Sequence, residues 1–538
     1  MPFEPSMRED AGMTLQGIDW LVICLYAVGI VSAGFLLARK TQSSEGYFLA
    51  GRALRWPFIG ASLFAANISA EHFVGLAGSG YAGGMAVGGY EWSAVFCLVP
   101  LIMLFLPFYI RNRIFTVPEF LEQRFSPGVR LFFSGFMVVL SVLTKISISL
   151  WASSLVFSDL LGWPPLIVIW VVGLVTALYT MKGGLRVVVY TDAVQTTILL
   201  LAAVVLTVAG LHRVGGWSGL HARLAPEMFS MVRPATDPDY PWPGMFFGVF
   251  LAGSFYWSMD QVLVQRTFAA KTLGEGRLGA ILCGFLKLTT PFLLVLPGLI
   301  ARAMFPGLAK ADQAYGTLLR HIMPAGLLGL TISGIGAALM GHVSATYNSV
   351  STLITRDFYL RWRPGATQEQ QIRVGRLAVL AVFVLGSGWA PMIGRFGNLF
   401  TYLQTVQVYL MLPFAGIFFL GVLWKRTTTC GVIACLWAAC MVCPLLMLNG
   451  ELHFLPFMAA PLLRPWLHAA MLAFAVCMAV LVAVSLATPR PAAAKVATTT
   501  VSDWRFLFAP DGGGWLRDYR LWLPIVVFLA AALWFAMR

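Results

Sequence analysis

Charge is what this chain lacks. Asp, Glu, Lys and Arg make up 11% of its 538 residues, against roughly 25% in soluble domains. That scarcity excludes an ordinary water-soluble globule. With 59% hydrophobic residues and a mean hydropathy of +0.79, it predicts a polytopic membrane protein in a lipid bilayer. The net charge of +14 is then read as basic cytoplasmic loops, not as a nucleic-acid surface. Cysteine gives little: most of the eight lie in apolar runs. Cys440 and Cys443 form a CxxC, but no second pair or nearby histidine set supports a metal site, so packing is expected. No nucleophile–base pair or phosphate loop stands out, so no enzyme is expected. The first apolar run, from about Ile18 to Ala38, spans a membrane and lacks an obvious cleavage site, so no cleavable signal peptide is expected.

Apolar runs of about 20 residues between charged loops mark membrane spans. Fourteen are predicted, near 18–38, 56–81, 84–109, 131–157, 164–181, 187–211, 243–264, 278–303, 324–355, 374–392, 397–421, 428–448, 467–487 and 521–537. An outside N-terminus puts most of the 37 lysines and arginines in cytoplasmic connections, among them Arg111, Arg113, Arg361 and Arg363. Segment 211–243 is then a long outer loop. Segment 488–520 is a polar cytoplasmic linker, too short for an appended signalling domain.

The second span carries SLFAANISAEHFVGLAGSG, Ser62 to Gly80, with Asn67, Ser69, Glu71 and His72 at membrane depth. Polar groups there are costly unless they face a cavity or partners. Five spans later, FYWSMDQ interrupts the seventh at Tyr256–Asp260. Paired breaks five spans apart predict two halves of opposite orientation with a solute site between them.

The polar residues inside spans are Asn67, His72, Glu91, Lys145, Asp192, Tyr256, Trp257, Asp260, Lys287, His342 and Gln404. Structural pairing, such as Glu91 with Lys287, explains some of them. The mixture of amides, carboxylate, amine and aromatic rings also suits a sugar, whose hydroxyls both donate and accept and whose C–H face packs on rings. Amino acids, inositol and other polyols use polar pockets too.

The stretches SLFAANISAEHFVGLAGSG, GGYEWSA, LTKIS, ALYTMKGGLRVVVYTDAVQT, PWPG, YWSMDQVLVQR, CGFLKL, YNSVSTLITRDFY and LQTVQVYL run in order from about Phe48 to Arg426. In them the chain resembles the sodium/solute symporter family, specifically its sodium/glucose cotransporter branch. The resemblance implies an all-α, LeuT-like five-plus-five inverted repeat in one transporter domain, 1–538. An extra leading helix covers 18–38, the repeats cover 53–212 and 243–421, and C-terminal helices cover 428–538. It implies sugar contacts at Asn67, His72, Glu91, Tyr256, Trp257, Lys287 and Gln404, with Tyr256 as inner gate. It also implies a multi-pass protein of the cell membrane, working as a monomer.

The same resemblance implies Na+ as coupling ion, with a main site of carbonyl oxygens at Ala65, Ile68 and Ala338 and hydroxyls at positions 341 and 342. Here those positions are Gly341 and His342. Sodium, a hard cation, wants oxygen ligands. The site is therefore expected to be degenerate, with H+ carried on His342 as an alternative coupling ion, or with uncoupled transport. A register shift would offer Ser344, Thr346 or Ser349 instead. A second cation site of the family maps to Asp192 and Ser344. A sugar-gated sensor on the same fold is the reading of a different class.

Overall fold

The computed structural model describes residues 15–37, 43–69, 72–394, 399–452, 454–501, 504–512 and 514–538. Of the positions named above, Ala38, Glu71 and residue 397 lie outside these. Among the described residues the chain is helical throughout, with two isolated bridges, Leu54 with Ala270 and Arg233 with Pro241. A bilayer imposes this, because a lipid-exposed backbone must satisfy its own hydrogen bonds.

The helices that position the site are α1, Gly17–Leu37; α2, Trp56–Asn67; α3, Ala77–Gly83; α4, Gly88–Pro100; α5, Pro165–Val214; α6, Val249–Ser258; α7, Gln261–Phe268; α8, Leu273–Thr290; α9, Leu296–Met304; α10, Leu327–Leu353; and α11, Leu399–Leu423. Eleven helical stretches of the described residues are long and apolar enough to cross a membrane, fewer than the fourteen expected spans. The difference has three physical sources. The expected 56–81 span is α2 plus a stretch that resumes at His72, and it meets the expected 84–109 span at the non-helical Gly84 (φ 80°, ψ −155°) within the run to Arg111. The expected 243–264 span is divided between α6 and α7, each too short alone. The expected 164–181 and 187–211 spans adjoin within α5, which is two helical runs divided at the non-helical Gly184 (φ 57°, ψ −156°). A side chain there would need a disfavoured backbone, and its Cβ would come within 2.3 Å of the Tyr47 carbonyl oxygen.

Both predicted interruptions are present. α2 stops at Asn67, and Ile68 is extended (φ −80°, ψ 125°). α6 stops at Ser258, and Asp260 is extended (φ −79°, ψ 119°) while its carboxylate caps α7 at the Val262 amide, 2.9 Å away. The helices carrying these breaks pack across the two predicted halves: α2 lies against α8, and α6 against α4. α10 is buried on almost every face between α2, α5 and the Gln368–Ile393 helix. The predicted linker is held to the bundle. Arg277 pairs with Asp511 at 2.8 Å, and Lys495 Nζ donates to the Phe125 carbonyl at 2.8 Å.

Close approach of α9 to α3 depends on Gly298. A Cβ there would lie 2.0 Å from the Ala77 carbonyl oxygen and 2.7 Å from the Tyr81 nitrogen. Overpacking of this kind costs about 1–3 kcal/mol. Gly298→Ala should lower the unfolding temperature in detergent, whereas Gly307→Ala, with nothing within 4 Å, should not. Equal melting of the two variants would contradict this packing.

Candidate functional site

One cavity collects the residues of both interruptions. All seven predicted solute contacts line it: Asn67, His72, Glu91, Tyr256, Trp257, Lys287 and Gln404. They come from the end of α2, the helical stretch His72–Leu76, α4, the end of α6, α8 and α11. Lys145 and His342 line the same cavity. So do Ser93, Gln407 and Met411, which sequence reasoning missed. Gln407 was findable, since it lies three residues from Gln404 on one helix face.

Ion pairs fix the walls. Lys287 Nζ lies 2.5 Å from Glu91 Oε2, joining α8 to α4. Both groups are buried, so each removes the other's unpaired charge. The pairing expected as a structural explanation is therefore real, and it occurs on the cavity wall. His72 Nδ1 accepts from the Ser69 amide at 3.3 Å, leaving Nε2 3.9 Å from Glu91 Oε1. Lys145 pairs with Asp260 behind the second break. Its ammonium stands 5.5 Å from the Tyr256 ring centre. Tyr256 and Trp257 meet edge to face at 5.7 Å, and Asn67 Nδ2 donates to the Tyr256 hydroxyl at 3.3 Å. That bond links the two interruptions directly.

Gly341, Ala65 and Asp192 of the expected cation residues lie near one another. A Cβ on Gly341 would lie 3.4 Å from the Ala65 Cβ, 3.4 Å from Asp192 Oδ1 and 3.1 Å from Gln195 Oε1. α10 thus faces the end of α2, and Ala338 is buried on the same helix. His342 Nδ1 lies 2.6 Å from the Ala66 carbonyl oxygen, between the expected ligands Ala65 and Ile68. An imidazole N–H in contact with this carbonyl does not fit a cation held there by oxygens. The hydroxyl hydrogens of a shifted register are directed to protein oxygens: Thr346 donates to the His342 carbonyl at 2.9 Å and Ser349 to Gln265 Oε1 at 2.8 Å.

The second set fits a hard cation better. Asp192 Oδ1 and Gln195 Oε1 are buried oxygens without a hydrogen-bond partner among the described residues. The other carboxylate oxygen accepts from Ser62 Oγ at 2.5 Å, with Arg266 Nη2 at 3.8 Å. Ser344 Oγ turns to the Gly341 carbonyl at 3.0 Å.

Removing one partner of a buried ion pair costs about 3–5 kcal/mol, because the other charge is stranded. Glu91→Gln and Lys287→Met should each lower the unfolding temperature in detergent. The double variant should recover most of the loss. Additive losses would mean that the two groups are not coupled.

The sequence pattern of the sodium:solute symporter family matches residues 47–439. Sodium/glucose cotransporter 4 of Danio rerio is 34% identical, covering 89% of this chain and 80% of that protein. The sodium/myo-inositol cotransporter of Mus musculus is 33% identical, covering 90% of this chain and 75% of that protein. A solved Na+-coupled sialic acid symporter in a substrate-bound outward-open state superposes with a TM-score of 0.77 at 20% identity, over 88% of this chain and 99% of that one. At that identity the likeness concerns the fold, which is the expected LeuT-like helical frame. The chain therefore belongs to the sodium:solute symporter family, and is a multi-pass membrane transporter, not an enzyme.

Proposed function

We propose that the chain carries a glucose- or galactose-like hexose across the cell membrane by alternating access. The observation that carries this reading is the single cavity at the crossing of two broken helices, lined by Asn67, His72, Glu91, Tyr256, Trp257, Lys287 and Gln404. Its amides and ion-paired walls suit neutral hydroxyls better than a net charge. The rings of Tyr256 and Trp257 suit the C–H face of a pyranose. Tyr256, bonded to Asn67 across the two breaks, is the inner gate. Relatives named for glucose and for myo-inositol are similar to nearly the same degree, so myo-inositol is the second substrate reading.

The architecture proposed with it has fourteen crossings and an outside N-terminus. Residues 53–212 and 243–421 form the opposed halves, 18–38 leads them, and 428–538 closes a working monomer. Sodium is the proposed coupling ion through Asp192, near Ser344, while the main site at Ala65, Ile68, Ala338, Gly341 and His342 is degenerate. Proton-coupled or uncoupled transport is favoured instead by one observation, His342 bonded to the Ala66 carbonyl beside the expected ligand Ala65.

In proteoliposomes, the purified chain should accumulate D-glucose, D-galactose or myo-inositol above equilibrium. A sodium gradient should stimulate this weakly, and Asp192→Asn should abolish that stimulation. Stimulation by a proton gradient alone would move the coupling to His342. Strong sodium stimulation that survives Asp192→Asn would overturn the second-site assignment. Ligand-evoked currents or binding without accumulation would favour a sugar-gated sensor.

A further inference from the structure

Two acceptors on the solute cavity have no donor among the described residues. Asn67 Oδ1 and His342 Nε2 are both buried and unpartnered, on residues 7% and 3% exposed. Such groups are costly to leave unmade. Neither ammonium of the cavity bonds them: Lys145 is directed to Asp260, and Lys287 to Glu91. What these two atoms lack, among the described residues, is a hydrogen-bond donor.

The state of His342 follows from its other nitrogen. Nδ1 lies 2.6 Å from the Ala66 carbonyl oxygen, and a carbonyl only accepts. Nδ1 therefore carries the hydrogen, and in the neutral ring Nε2 is a lone-pair acceptor. The Ala66 carbonyl is among those freed where α2 ends at Asn67. An imidazole N–H thus satisfies a group at the helix break, where the family's arrangement calls for a cation. The far side of the same ring is left with an open acceptor.

The geometry points to His342 as a solute-binding residue: with Asn67 it accepts hydroxyl hydrogens from a neutral polyhydroxylated solute, and it has exchanged an ion-holding role for a solute-reading one. This rests on the reading of the cavity as the solute site. It adds a contact outside the seven that the family resemblance supplies. It also selects for a hydroxyl donor at one position of the solute. A solute lacking that hydroxyl leaves the buried His342 Nε2 acceptor unmet, which is how polar sites discriminate strongly.

Two variants separate the ring nitrogens. The short amide of His342→Asn can reproduce the Nδ1 bond to Ala66 but has nothing at the Nε2 position. The longer amide of His342→Gln can present an acceptor near Nε2. Uptake of D-glucose, D-galactose, myo-inositol and their monodeoxy forms would be measured in proteoliposomes. For the solute that wild type carries, His342→Asn should raise the half-saturating concentration about three- to tenfold, with maximal velocity little changed. His342→Gln should stay within about twofold. The His342→Asn penalty should vanish for one monodeoxy form, which a purely structural role would not produce. Unchanged half-saturation, or the same penalty for every deoxy form, overturns the contact and leaves the sugar reading standing. Failure of wild type to bind or carry any of the three overturns both. A variant that does not fold is bypassed by wild type labelled with 15N-histidine: the solute should shift the unprotonated Nε2 resonance of His342, and no shift overturns the assignment.

Discussion

Two helices stop halfway through a medium that offers their backbones no water, and much of the molecule is arranged around that cost. α2 ends at Asn67 and α6 at Ser258. Carbonyls and amides released at such ends must find partners inside the protein. Asp260 caps one of them, and His342 reaches the Ala66 carbonyl at the other. The breaks are tolerable because α10, α4 and α8 enclose them. The same enclosure makes a polar cavity at membrane depth, where solute selection is possible.

Charge is distributed by the same constraint. The buried pairs Glu91–Lys287, Lys145–Asp260 and Asp192–Arg266 each place one partner in the first predicted half and one in the second. Arg130 with Asp357 does so again, at 2.5 Å. Desolvation offsets much of the attraction in such pairs, so they contribute little net stability. They bear instead on register, since sliding one half against the other would strand charges in a low dielectric. In a transporter that rocks one half on the other, pairs at this interface bias which arrangements are populated.

Much of this was legible along the chain. Hydropathy marked the spans, and Asn67–His72 and Tyr256–Asp260 marked the breaks, because an amide or carboxylate in an apolar run is conspicuous without knowledge of its neighbours. The seven cavity residues were named through the family resemblance, and they do share one cavity. The form of one boundary was not legible: Gly184 breaks the helix between two expected spans without a recognisable loop, and its role depends on the Tyr47 carbonyl facing it. The fixed position of the 488–520 linker was hidden too, because Arg277 and Lys495 read as loop charges until Asp511 and the Phe125 carbonyl stand beside them.

His342 marks the boundary between the two kinds of knowledge. Composition and residue type were enough to predict a membrane protein and to locate its broken helices, and the family resemblance added the expectation that Gly341 and His342 stand where an ion site would have hydroxyls. Those are properties of residue identity and order, and hydropathy and side-chain chemistry are carried by each residue alone. What stands in place of the hydroxyls depended on the packing of α10 against the end of α2. That packing turns one imidazole nitrogen to the Ala66 carbonyl and leaves the other without a partner. The direction of a hydrogen bond is a relation between groups 276 residues apart, and only the folded chain brings them within reach.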